Sequence, residues 1–204
     1  MRKLTALLGF AFVAGLASTA NADFTNPGFE TGDFTGWDIY LTENGATAVQ
    51  DVVQFDLGYG TSYVGRFSVG EANYDGTQQG IVLSQTMWLQ GGFAYDLGCH
   101  AGAWREFGGT NAEGGVFSLF VEGTTVDSYG VGSIDGGAPP VLFSLDGMYT
   151  PAADGYYEVG VTITRPYTIP GDLIYQMVDD FYITPAPGAL ALLGLAGLMR
   201  RRRR

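Results

Sequence analysis

The sequence predicts an all-β chain, a two-layer antiparallel β-sandwich carried between two apolar terminal segments. Three observations predict it. The chain has 32 Gly and 14% aromatic residues but only 15% charged ones, a composition that suits short strands and tight turns better than helices. Short apolar runs recur along residues 23–184 with turn residues between them, and no stretch sustains a helical period. Several of the runs alternate with period two, as strands with one buried face do.

The elements follow in order. Residues 1–22 begin with Arg2 and Lys3, continue through an apolar run over 4–17 broken only by Thr5, and end in Ala20-Asn21-Ala22. A basic start, a short apolar helix and a small-x-small site are the pattern of a secretory signal peptide, with cleavage expected after Ala22; the alternative is an N-terminal membrane anchor. Strands are expected near 24–30, 37–42, 47–55, 62–69, 80–89, 93–103, 115–122, 124–131, 140–147, 155–164 and 173–184. In 155–164, Tyr157, Val159, Val161 and Ile163 share one face, with Glu158, Thr162 and Thr164 on the other. Phe117, Leu119 and Val121 alternate with Ser118, Phe120 and Glu122 in the same way. Gly91-Gly92, Gly108-Gly109, Gly114-Gly115, Gly136-Gly137 and Asp154-Gly155 supply turns. The last segment, 185–204, has Pro185-Ala186-Pro187, an eleven-residue apolar run over 189–199, and five arginines. As a helix that run spans roughly 17 Å, well short of a bilayer core, so it suits a transient association with the membrane.

Charge narrows the function. Only Arg66, Arg105 and Arg165 lie between the ends, against all 21 acidic residues, for a net charge of −18 in the middle region. Such a surface repels phosphate backbones and anionic lipid, so no nucleic-acid partner is expected. Cys99 is the sole cysteine and lies in the apolar run 94–103, so no internal disulfide forms and a buried side chain is expected. The single histidine, His100, is adjacent to Cys99. Neighbours in a strand face opposite ways, so the two cannot act as base and nucleophile. No nucleophile elbow, phosphate loop or metalloprotease motif occurs, and no enzyme activity is expected. Chance carboxylate pairs still allow a polysaccharide hydrolase.

Two resemblances add to this reading. Pro185-Ala186-Pro187, the Gly/Leu/Ala-rich run and the Arg cluster resemble the PEP-CTERM sorting tail, with Ala186 where that family usually has Glu. The resemblance implies processing by an exosortase-type protease and residence in the cell envelope or an extracellular matrix; the alternative is a simple C-terminal anchor. Asn26-Pro27-Gly28-Phe29-Glu30, followed by Gly36-Trp37, resembles the opening of galactose-binding-like jelly rolls, including many carbohydrate-binding modules. Ser62-Tyr63-Val64-Gly65-Arg66-Phe67-Ser68-Val69 and the strand 81–89 with Gly91-Gly92 resemble further segments of that family, as does the closing Val178-Asp179-Asp180-Phe181-Tyr182-Ile183. This implies a jelly roll in which first and last strands lie close together, with a structural Ca²⁺ held by Glu30 and Asp180, or Asp179 in its place. Paired carboxylates repel unless a cation sits between them; the alternative is solvated edge carboxylates.

A sugar site needs an aromatic platform with polar groups beside it. Trp104, with Arg105 and Asn111 nearby, is the expected ligand-binding set; the alternative is that Trp104 only covers a sheet end. Trp37 and Trp88 are expected in the core. The expected function is non-catalytic binding of extracellular polysaccharide, the alternative a structural surface protein without a specific ligand.

Overall fold

Alternation is what divides this chain into two layers. A computed structural model of the protein describes residues 22–42, 47–70, 78–106, 112–166 and 174–186. Twelve strands are described: β1 (Asp38–Leu41), β2 (Thr47–Asp56), β3 (Thr61–Val69), β4 (Gln79–Leu89), β5 (Tyr95–Arg105), β6 (Ala112–Glu113), β7 (Val116–Val121), β8 (Thr124–Gly130), β9 (Ser133–Ile134), β10 (Val141–Tyr149), β11 (Gly155–Arg165) and β12 (Ile174–Pro185). One antiparallel sheet has the order β1-β4-β11-β7-β8 and the other β10-β5-β12-β3-β2, with β6 and β9 forming a small separate pair. The chain crosses repeatedly between the sheets, and the fold is a jelly-roll β-sandwich. Among the described residues no helix is long and apolar enough to cross a membrane.

The inner faces make the core. Val159, Val161 and Ile163 of β11, Phe117, Leu119 and Val121 of β7, and Leu97, Cys99 and Ala101 of β5 are at most 1% exposed. Cys99 therefore faces inward and His100 outward, as alternation requires.

Residues 24–30 are not a strand. Asn26 and Phe29 both take left-handed backbone, with φ of 54° and 55°. Asn26 organises the segment: its Nδ2 donates to the carbonyls of Asp33 and Thr35, and its Oδ1 accepts from the N–H of Thr31. The loop drives aromatic rings into one end of the sandwich. Trp37 stacks on Phe24 at 5.4 Å and Phe29 at 5.6 Å, and lies 4.5 Å from Phe181 of β12. A backbone bond from Phe181 N–H to the Pro27 carbonyl ties the loop to the last strand. The expected closeness of the first segment and β12 is thus present, made by a loop.

Candidate functional site

The outer face of the first sheet carries a groove of about 280 Å³. Strand register puts it there. Tyr40 of β1 lies opposite Val82 of β4, and Tyr156, Glu158, Gly160 and Thr162 of β11 lie opposite Trp88, Thr86, Ser84 and Val82. The side chains alternating with the buried row on β11 therefore meet those alternating with the buried row on β4. Tyr40, Val82, Ser118, Phe120, Glu158 and Thr162 are among the residues that line the groove. Between Glu158 and Thr162 on β11, Gly160 has no side chain, and a Cβ there would collide with the Leu83 carbonyl.

Glu158 is the charged group inside. Its Oε1 accepts from the Tyr40 hydroxyl and the Ser84 hydroxyl, each at 2.7 Å. Its backbone is clamped by the tip of the β7–β8 hairpin. The Glu158 N–H donates to Glu122 Oε2 at 3.0 Å, and the Glu122 N–H donates to the Glu158 carbonyl at 2.8 Å. Glu122 and Gly123 form the two-residue tip with φ of 48° and 71°, the backbone of a turn whose twist matches its strands. Partial burial, then the bond to Glu158 and the charges of Glu158 and Asp38, push the Tyr40 hydroxyl up to about 12. Tyr40 therefore stays a neutral donor at any ordinary pH.

Beside the groove, Trp88 and Tyr156 meet edge to face at 5.2 Å. They are 41% and 73% exposed, and these exposures decide that the pair is available to a ligand. Exposed aromatic rings next to a fixed carboxylate and several hydroxyls combine apolar stacking with hydroxyl recognition, the two contacts a sugar ring needs.

The expected binding set lies elsewhere. Trp104 belongs to β5 and projects from the outer face of the second sheet. It is half-buried between Phe55 at 5.9 Å and Tyr175 at 6.2 Å. The adjacent Arg105 turns inward, as the next residue in a strand must. It is 1% exposed and donates to the Ile134 carbonyl. The two side chains thus occupy opposite faces of one strand. Asn111 lies outside the described residues. Tyr175 is covered instead by Arg66, whose guanidinium sits 4.7 Å above the ring while bridging both oxygens of Asp51. Trp37 is buried as expected, but Trp88 is not a core residue. The signal that would have found it is the alternation of Leu83, Gln85, Met87 and Leu89, all buried, which sends Trp88 outward.

The expected calcium residues come together in part. A Cβ on Gly28 would collide with Glu30 Oε1 and lie 3.3 Å from Asp180 Oδ1, so the two carboxylates converge above a glycine. Asp179 goes a different way. It is 2% exposed, and its Oδ2 accepts from the Ser62 hydroxyl at 2.5 Å. A bulge between Asp179 and Tyr182, with Asp180 at φ 50°, separates the two neighbours. Asp180 Oδ2 lies 3.3 Å from His100 Nδ1, and His100 is stacked under Tyr59 at 3.7 Å. Among the described residues no group of three or more His, Cys, Asp or Glu is placed to hold a metal ion. Glu30 and Asp180 offer two hard carboxylate donors, which suit Ca²⁺ if backbone oxygens and water complete the shell.

At the termini, Ala22 is buried against the core, while Ala20 lies outside the described residues. Pro185 ends β12, and the Ala186 N–H donates to the Ala94 carbonyl. Pro187 and the apolar run after it lie outside the described residues, as do Gly108-Gly109.

Neither a protein-family model nor a curated protein matches the chain. Among solved structures it is similar to TmCBM61 in complex with beta-1,4-galactotriose, at 17% identity, covering 80% of this chain and 98% of that one, with a TM-score of 0.45. It is similar to the CBM22-1 xylan-binding domain from Paenibacillus barcinonensis Xyn10C at 15% identity, covering 83% and 97%, with a TM-score of 0.43. It is also similar to the Stig cyclase Fisc from Fischerella sp. TAU at 15% identity, covering 81% and 98%, with a TM-score of 0.47. None of these similarities assigns the chain a ligand or an activity.

Proposed function

We propose that this chain is an exported, non-catalytic carbohydrate-binding protein, and that its ligand lies along the outer face of the first sheet. One observation carries the reading: Glu158, fixed by Tyr40 and Ser84 inside a groove, stands on the same sheet face as the exposed Trp88–Tyr156 pair. The pair supplies apolar faces and the groove supplies hydroxyl partners. Export rests on the signal-peptide pattern of residues 1–22. Sorting by an exosortase-type protease rests on the resemblance of residues 185–204 to the PEP-CTERM tail. The first supports export from the cytosol, and the second supports residence in the cell envelope or the surrounding polysaccharide. A structural Ca²⁺ on Glu30 and Asp180 belongs to the same proposal, resting on the convergence of those two carboxylates.

Glycan-array binding followed by calorimetric titration tests it. Trp88→Ala and Tyr156→Ala are each expected to weaken glycan binding about tenfold or more, since aromatic anchors carry the largest single contributions to such contacts. Trp104→Ala is expected to leave binding unchanged. Folded protein that binds no glycan would favour the alternative, a structural surface protein without a specific ligand. Mass spectrometry of mature protein tests the processing, with a new N-terminus at Asp23 and a C-terminus near Pro185 expected.

A further inference from the structure

We infer that the groove beside Glu158 selects saccharides carrying free, protonated amino groups over their N-acetylated counterparts, and rejects saccharides bearing carboxylates. This deepens the proposed function and rests on it.

The argument begins with where the cations are. Arg66 is held by Asp51 through two bonds on the other sheet. Arg105 and Arg165 are buried, donating to the carbonyls of Ile134, Glu113 and Val69. His100 lies on the outer face of the second sheet, against Tyr59 and Asp180. Among the described residues, then, no basic side chain reaches the groove face. The acids do reach it. Glu158 lines the groove, Glu122 stands at the hairpin tip bonded to the Glu158 backbone, and Asp38 is near enough on β1 to act on Tyr40.

Glu158 is also prepared for a donor. Oε1 takes both the Tyr40 and Ser84 hydroxyls, which fix the carboxylate in place. Among the described residues Oε2 accepts no hydrogen bond and is left to a ligand. A neutral hydroxyl or acetamide N–H could donate to it. An ammonium group would add the attraction of its own positive charge for the carboxylate, which a neutral donor lacks. A preference of about tenfold requires about 1.4 kcal/mol of net gain from that attraction. A uronate would instead bring a third carboxylate beside those of Glu158 and Glu122 with no cation between them, a like-charge contact that discriminates against it.

The decisive experiment titrates the full-length protein with three tetrasaccharides: one of glucosamine, its N-acetylated form, and one of glucuronate. The titration is done below the pKa of the sugar amine. The amine form is expected to bind about tenfold more tightly than the acetylated form, and the glucuronate not at all. In Glu158→Gln both forms are expected to bind more weakly, and the amine preference is expected to fall to near one. Thr162→Arg, which sets a cation on the groove wall, is expected to turn the preference toward glucuronate, and it serves if Glu158→Gln fails to fold. Equal binding of amine and acetylated forms by the wild type would overturn the inference while the sugar-binding reading stands. An amine preference that survives Glu158→Gln would also overturn it, by assigning the effect to the acidity of the whole domain. Failure of all three saccharides and of neutral glycans on an array would remove the sugar-binding reading itself.

Discussion

At Asp179 a carboxylate is 2% exposed, bonded to the Ser62 hydroxyl and the Asp180 N–H, with the charges of Asp180 and Glu30 nearby. Burial is the largest influence. It outweighs the two hydrogen bonds, and the neighbouring carboxylates add to it, so the group is pushed up from 3.8 to about 6. A carboxylate whose folded pKa is raised binds its proton more tightly when folded. Stability from it is therefore full below about pH 4, falls as pH rises toward 6, and is gone above that. Two pH units correspond to roughly 3 kcal/mol. Asp179→Asn keeps an oxygen for the Asp180 N–H and offers Ser62 an amide donor without the charge. In the absence of calcium it is expected to stabilise the protein by about 2–3 kcal/mol at pH 8 and to change little at pH 4, as read by urea melts at the two pH values. Equal effects at both would mean that Asp179 is ionised throughout.

Among the elements, the β4–β11 pair decides whether the groove exists. Gly160 faces Ser84 in the register, and a Cβ there would overlap the Leu83 carbonyl and lie 2.7 Å from the Ser84 Cα. Backbone cannot swing aside as a side-chain tip can. Gly160→Ala is expected to cost about 3 kcal/mol in a denaturant melt and to abolish glycan binding by spreading the two strands that hold Glu158 and Ser84. At this scale much was legible in the sequence. Alternation located the faces of β7 and β11, and glycine pairs marked several strand ends. What escaped has physical causes. Residues 24–30 carry Asn26-Pro27-Gly28, turn chemistry in itself, and Asn26 and Phe29 are left-handed where the Asn26 side chain supplies loop bonds in place of a ladder. β6 and β9 are two residues each, too short for any period. Trp104 and Arg105 are neighbours in sequence, but a strand sends them to opposite faces. The partnership of Tyr40, Ser84 and Glu158 spans 118 residues and depends on a strand order that no local pattern encodes.

Across the whole molecule, the first described loop and the last strand meet, and charge gathers at that junction. Asp23 to Asp180 holds 21 acids against three arginines, so the domain repels itself. Two of those acids, Glu30 and Asp180, converge above Gly28. A bound Ca²⁺ would neutralise that contact and fasten the N-terminal loop to β12, adding to the Phe181–Pro27 bond and the Trp37–Phe181 stack. A ligand that binds only the folded state at a hundred times its Kd adds about 2.7 kcal/mol. For a domain of this size that is roughly 5–10 °C in melting temperature. Calorimetric melts with calcium and with EGTA should therefore differ by about that amount. Glu30→Gln and Asp180→Asn should each remove the difference, and Asn tolerates the left-handed backbone at position 180. Because linkage acts only through binding, the increment should grow with the logarithm of calcium concentration once sites are mostly filled, and magnesium, which demands a tighter and more regular shell, should not reproduce it. A midpoint that EGTA leaves unmoved would mean that the two carboxylates meet without an ion and that the aromatic plug alone closes this end of the sandwich.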